Sequence, residues 1–313
     1  MTDPNEYTVP DQTGRTALVT GANSGLGLQT ATRLARAGAT VIMACRNPDK
    51  AATALDEVRR AAPDATVTTL PLDLASLDSV SEAAERVRAD HDRLDLLINN
   101  AGVMAIPRGV TVDGFETQFA TNHLGHFALT AHLMDLVMAT PHSRVVNVSS
   151  NAHKMGRMRF DDLMGERRYE RWSAYGQSKL ANLLFSFELQ RRLTAAASGT
   201  IAVAAHPGWS ATHLQTSGRG VTEGPWLKAT ELANRVIAQS DAMGALPTIH
   251  AATSADVIAG GFYGPDGPLE VRGMPTQVNP NARAKDPAAA RELWGRSEEL
   301  TGVRFAIHDA ATG

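Results

Sequence analysis

Short apolar runs alternate with longer amphipathic ones along most of this chain. Residues 15–20, 40–44, 67–70, 94–99, 144–149 and 201–205 are brief runs dominated by Val, Ile, Leu, Ala and Met. Such runs suit strands buried on both faces. Between them, at about 25–37, 48–60, 76–90, 114–138 and 172–193, apolar residues recur at helical spacing. In the first of these, Leu26, Leu28, Ala31, Leu34 and Ala35 mark one face, and Gly38 stands where a helix C-cap belongs. Pro48 opens the second, where its missing N–H is harmless. Beyond residue 205 the pattern loosens, with helices expected near 225–239 and 242–252 and a short strand at 261–263. Strand and helix alternating in this way predict an α/β fold. The expected architecture is a single-domain, doubly wound parallel sheet of Rossmann type, with helices on both faces. Residues 1–13 read as a flexible polar arm, and residues 266–313 as an extension packed on the domain formed by residues 14–265.

Composition narrows the partners. The 313 residues carry 30 Lys and Arg against 33 Asp and Glu, a net charge of -3. That excludes the basic field of a general nucleic-acid binder and argues against an anionic membrane partner. The single cysteine, Cys45, excludes an intrachain disulfide and a multi-cysteine metal site. The polar start of the chain reads as neither signal peptide nor anchor, and no apolar run is continuous enough for a bilayer. A cytoplasmic protein is expected.

The first strand and helix are joined by Thr20-Gly21-Ala22-Asn23-Ser24-Gly25-Leu26-Gly27. A glycine-rich turn there lets the backbone approach a pyrophosphate, and the helix N-terminus offers free N–H groups and a positive dipole end. The spacing, Gly-x-x-x-Gly-x-Gly, is weak evidence alone, and its place between strand and helix strengthens it. The second strand ends Ala44-Cys45-Arg46. An acid at this point would bind the ribose hydroxyls of NAD, whereas a guanidinium matches a 2′-phosphate. NADP(H) is therefore preferred over NAD(H), with Ser24 able to add a second donor; the plainer reading of Arg46 is a solvated surface charge. Cys45 reads as a packed small residue rather than a reactive thiol.

Tyr175 and Lys179 lie four apart in an expected helix and so share a face. A neighbouring cation favours the phenolate, and such a tyrosine can donate a proton to a carbonyl or accept one from an alcohol. The pair occurs often by chance on surface helices. The upstream glycine loop raises its weight, as do Ser149 and Ser150 at a carboxyl strand end, where open α/β sheets place their sites. His123, His126 and His132 lack the carboxylate spacing of a metal site, so no metal is expected. His153 lies close enough to Ser150 in sequence to be a rim residue. Trp209, Trp226 and Leu227 suit an apolar lid or ordinary packing.

Taken in order, Thr20 to Gly27, Asn99-Asn100-Ala101-Gly102, Asn122, Ser150, Tyr175 with Lys179, and Pro207-Gly208 resemble the short-chain dehydrogenase/reductase family. Ala44-Cys45-Arg46-Asn47, residues 122–127, residues 145–150 and residues 178–182 resemble its retinol-dehydrogenase-like subgroup more narrowly. The resemblance spans residues 14–265 and makes them a dinucleotide-binding and catalytic domain. It implies that Tyr175 is the acid/base and that Ser150 holds the substrate oxygen, although Ser149 is an alternative. It implies that Lys179 binds the nicotinamide ribose and lowers the pKa of Tyr175, while Asn122 anchors a relay water. Gly21, Asn23, Ser24, Gly25, Leu26 and Gly27 would cradle the pyrophosphate. Asp73 and Leu74 would meet the adenine, Asn100, Ala101 and Gly102 the central ribose, and Pro207, Gly208 and Thr212 the nicotinamide amide. The 25-residue separation of Ser150 and Tyr175 exceeds the family's usual spacing, but the subgroup shares such an insertion.

The function implied is NADP(H)-dependent hydride transfer on a carbonyl or alcohol of a fairly apolar small molecule. Two alternatives stand beside it: a non-catalytic dinucleotide sensor, and a light-dependent protochlorophyllide-reductase-like enzyme. A homodimer or homotetramer is suggested by the family, through the two long helices, with the C-terminal extension able to block one interface.

Overall fold

The computed structural model of the chain describes residues 7–209 and 239–307. The expected helix at 225–239 therefore lies outside the described residues except for Gln239, as do Thr212, Trp226 and Leu227.

Among the described residues, eight strands form one sheet in the order β3-β2-β1-β4-β5-β6-β7-β8. They are β1 (Thr16–Thr20), β2 (Thr40–Cys45), β3 (Val67–Pro71), β4 (Leu96–Asn99), β5 (Arg144–Val148), β6 (Ile201–Ala205), β7 (Phe262–Pro265) and β8 (Pro275–Gln277). All pairings are parallel except β7 with β8. Strand order reverses direction at β1, between β2 and β4, and this switch point opens a crevice at the carboxyl ends of the strands.

The helices are α1 (Gly25–Arg36), α2 (Pro48–Ala61), α3 (Leu77–Asp90), α4 (Gly125–Ala139), α5 (Arg171–Ala195), α6 (Leu246–Thr253) and α7 (Pro287–Thr301), with shorter turns between some of them. Local chemistry starts them: Asn47 caps α2 by accepting from the Lys50 amide, and Ser76 caps α3 by accepting from Ser79. Gly38 follows α1 with φ +92, as its place in the pattern requires. One cluster of buried side chains packs α1 and α2 against one sheet face, centred on Val19, Leu34, Val41 and Val58. The opposite face packs α3, α4 and α5 through Leu97, Leu129, Val145 and Leu189.

The expected helix at 114–138 begins later and is not regular. One turn at Thr117–Phe119 passes into a π-helical turn at Ala120–Leu124 before α4 starts. Such turns are rare and gather at functional sites. Of the polar arm, residues 7–13 lie against the domain. Tyr7 Oη meets His250 Nδ1 at 3.1 Å, and the amide of buried Gln12 donates to Ala37 O at 2.7 Å. Among the described residues no helix is long and apolar enough to cross a membrane.

Helix α4 is buried around most of its circumference, Asp135 marking the exposed side, so sheet packing alone cannot bury it. The C-terminal segment supplies the rest of its cover. Trp294 of α7 sits 5.3 Å from the Phe127 ring and 5.8 Å from Phe185, and Phe305 closes on Trp294 at 4.4 Å. The guanidinium of Arg192 lies 4.2 Å over the indole.

Candidate active site

A cleft of about 540 Å³ runs along the switch point. Its walls bring together Gly21, Asn23, Ser24, Gly25, Leu26, Gly27, Arg46, Asp73, Leu74, Asn100, Ala101 and Gly102. The β1–α1 and β4 loops are locked to each other through Thr20. Its hydroxyl accepts from the Asn100 and Ala101 amides, each at 2.9 Å, while Asn100 Nδ2 donates to Thr20 O at 2.8 Å. His126 donates from Nδ1 to Asn122 O and is neutral, because burial pushes its pKa down to about 3. Its Nε2 is thus an acceptor for the Thr20 hydroxyl at 2.9 Å. His123 is likewise buried and neutral, with Nε2 2.9 Å from Ser297 Oγ.

Gly27 allows the closest approach in this loop. A β-carbon there would lie 2.3 Å from Gly21 O and 2.6 Å from Asn100 Nδ2. Gly27→Ala is expected to destabilise the chain by about 1–3 kcal/mol by forcing these loops apart. Chemical denaturation checks it; an unchanged midpoint with an unchanged slope would show that the loop yields freely.

At one end of the cleft Arg46 and Lys50 are exposed, and neither side chain has an ion-pair partner among the described residues. The Ser24 hydroxyl makes no hydrogen bond to the helix it precedes. Cys45 is buried, its thiol pushed up to about 11 by desolvation while the Ala22 and Asn23 amides pull the other way. It packs beneath the glycine loop. Lys50 was missed by sequence reasoning. The signal was available: it follows Arg46 by four residues and lies in the first turn of α2.

At the other end, Tyr175 and Lys179 share the inner face of α5, both buried, with Lys179 Nζ 5.8 Å from the phenol ring centroid. Lys179 Nζ donates to Val148 O at 3.0 Å. A β-carbon at Gly102 would stand 3.4 Å from that Nζ and 3.0 Å from Asn122 Oδ1, so the three residues converge where the cleft ends. Asn122 lies in the π-helical turn. Its side chain accepts from the Val103 amide at 2.8 Å and donates to Val103 O and Ser178 Oγ, both at 2.9 Å.

The two serines have different surroundings. Ser149 Oγ is buried and donates to Lys179 O at 2.8 Å, which commits it to the helix backbone. Ser150 remains partly exposed, and its hydroxyl forms the hydrogen bond that favours the Tyr175 phenolate. Close backbone packing brings Ser150 to the phenol: a β-carbon on Gly156 would fall 2.3 Å from Gly176 O, within the turn after Tyr175. The insertion between serine and tyrosine is ordered by buried Asp162, which pairs with Arg159 at 2.6 Å. His153 is not a rim residue. It is fully buried, donates to Ser150 O at 2.7 Å and meets the Phe262 ring edge-on.

Burial works against the expected lowering of the Tyr175 pKa by Lys179. Burial pushes the phenol up to about 12, opposed only by the Ser150 hydrogen bond. Burial also pulls Lys179 down to about 8. Both shifts follow from placing groups whose charged forms need water into a dry interior. The Pro207–Gly208 turn follows β6, with Gly208 at φ +69.

The family model of short chain dehydrogenases matches residues 15–220. Retinol dehydrogenase 13 of Homo sapiens is 41% identical over 306 residues, covering 96% of this chain and 87% of its own length. Retinol dehydrogenase 14 of Mus musculus is 41% identical over 305 residues, covering 93% and 86%. A crystal structure of an uncharacterized protein from Mycobacterium Paratuberculosis matches with TM-score 0.79 and 44% identity over 96% of this chain and 97% of its own. The Pseudomonas aeruginosa RhlG/NADP active-site complex shares the fold, with TM-score 0.64 and 24% identity over 82% and 96%.

Proposed function

The chain belongs to the short chain dehydrogenase family, on its retinol-dehydrogenase-like side, and from that premise we propose that it is an NADP(H)-dependent oxidoreductase of apolar carbonyls and alcohols. The observation that carries the reading is the cleft that runs from Arg46 and Lys50, which have no ion-pair partner among the described residues, to Gly102, with Lys179, Tyr175 and Ser150 gathered past that glycine.

The residues fit a dinucleotide phosphate. Free N–H groups at the start of α1, with the Ser24 hydroxyl, suit the pyrophosphate. Arg46 offers a bidentate fork to a 2′-phosphate, and Lys50 adds a second cation. Asp73 and Leu74 line the adenine end, Asn100, Ala101 and Gly102 the middle, and Pro207 and Gly208 the nicotinamide end, with Thr212 assigned there from sequence. A bound nicotinamide supplies or accepts the hydride.

The chain's own residues handle the proton. Tyr175 holds it on Oη, since burial keeps the phenol neutral through the physiological range. Ser150 Oγ orients the substrate oxygen toward that proton. Lys179 and Asn122, which both approach Gly102, would form the inner route by which the proton is replaced. A neutral phenol is matched to carbonyl reduction, in which the developing alkoxide takes the proton. The substrate class is supported by large apolar side chains exposed around the mouth: Trp172 beside Tyr175, Met155 after the Ser150 turn, and Trp209 after Gly208.

Arg46→Ala is expected to lower the ratio of kcat/KM for NADPH over NADH by roughly ten- to hundredfold, the worth of one charge-assisted contact. Steady-state kinetics with both coenzymes check it, and an unchanged ratio sinks the assignment of Arg46. Turnover of NADH but not NADPH by the parent chain would overturn the coenzyme preference itself.

A further inference from the structure

The segment at residues 267–271 lies beyond the region matched by the family model and is built under strain. Leu269 and Glu270 both adopt φ +55, a conformation that L side chains rarely take. Two neighbours hold it. Asn151 Nδ2 donates to Glu270 O at 3.2 Å, and Lys154 Nζ pairs with Glu270 Oε2 at 3.1 Å. Both donors belong to the short turn that begins directly after Ser150.

The same carboxylate faces the other side of the site. Fully buried His206 accepts from the Gly208 amide at Nδ1, at 3.2 Å. The ring is neutral because burial lowers its pKa, so its proton resides on Nε2. That nitrogen stands 3.1 Å from Glu270 Oε2, a close contact outside the alignment of a directed hydrogen bond. The carboxyl is held down at about 2, chiefly by His206, and is therefore an anion at working pH. Space for the imidazole is made by Gly264 of β7, where a β-carbon would fall 2.1 Å from His206 Nε2. Val271 O accepts from the Trp209 amide at 2.8 Å, so the strained segment also grips the chain just past Gly208.

We propose that Glu270 is a positioning residue that fixes the Pro207–Gly208 turn through His206 and ties that turn, through Lys154, to the segment carrying Ser150. The proposal rests on the reading of Pro207 and Gly208 as the nicotinamide end. The anion holds the imidazole in the one tautomer that can receive the Gly208 amide. A C-terminal residue thereby sets the distance between the hydride end of the crevice and the serine that holds substrate oxygen.

The test uses Glu270→Ala and Glu270→Gln in the full chain, alone and with His206→Asn. Amide hydrogen exchange at Gly208 is read without coenzyme, and NADPH affinity and the deuterium isotope effect on kcat are read with it. Glu270→Ala is expected to speed exchange at Gly208 and to weaken NADPH binding, each by about five- to tenfold, the scale of one lost hydrogen bond. It should also change the isotope effect. Glu270→Gln, which keeps the side-chain shape without the anion, should restore little of the three. Adding Glu270→Ala to His206→Asn should then have little further effect. Unchanged exchange at Gly208 in Glu270→Ala overturns the proposal, and so does an undiminished effect in the His206→Asn background. A parent chain that fails to bind NADPH defeats the proposed function, while the exchange measurement still decides the link.

Discussion

Tyr175→Phe is expected to lower kcat by about 10²- to 10⁴-fold, the usual contribution of a positioned acid or base. NADPH affinity should stay nearly unchanged. The ring packs inside α5 against Trp172, and Phe keeps that packing while removing only the oxygen. Stopped-flow reduction of an apolar aldehyde separates the two quantities; turnover at the parent rate would dismiss Tyr175 as the acid.

The pH dependence has a definite sign. Burial holds the phenol proton up to about 12, so carbonyl reduction should be level through neutral pH. Alcohol oxidation needs the phenolate and should rise as pH increases. Lys179, pulled down to about 8 by burial, loses its charge partway along that rise and should bend the profile there. Tyr175→Phe should flatten both limbs.

Trp294→Ala is expected to cost about 3–5 kcal/mol of stability, the range for removing a large buried aromatic. The indole is 2% exposed, touches Phe127, Phe185 and Phe305, and donates to Glu298 Oε1 at 2.9 Å. Its loss leaves the outer faces of α4 and α5 without their filler and frees Arg192 from its stacking partner. Urea unfolding measures the change; a cost below about 1 kcal/mol would mean that α7 is not a structural part of the core. The same packing bears on assembly. Family analogy expects the two long helices to form a subunit interface, yet α7 already lies on α5 and Trp294 already contacts both helices.

Much of the fold was legible because strand and helix have different apolar periods. All six strands read from the first 205 residues are present, with ends displaced by at most two positions. The glycine loop and the Tyr175–Lys179 pair were legible because each is defined within a few residues. The choice of Ser150 over Ser149 was not. It depends on which hydroxyl reaches the α5 backbone, and Ser149 does so across thirty residues of chain. Likewise, no local pattern announces that His153 is buried under Ser150 rather than placed at the rim.

The pKa of Tyr175 marks the limit most sharply. Sequence spacing places a cation on the same helix face and suggests a lowered value. The structure buries both groups, and desolvation pushes the phenol up and the ammonium down. Glu270 shows the same limit on the positive side, since its contacts come from residues of two other loops.

By itself the sequence determined the α/β class, the six strands up to residue 205 and the glycine-rich loop at the switch point, and it named the candidate site, because those depend on periodicity and short-range spacing. Tertiary structure alone decided the different surroundings of Ser149 and Ser150, the burial that shifts Tyr175 and Lys179, the covering of α4 by α7, and the contacts that link Glu270 to His206 and Lys154. Each of these depends on burial or on contacts between distant segments, and local composition does not encode which groups the sheet register will bring together or remove from water.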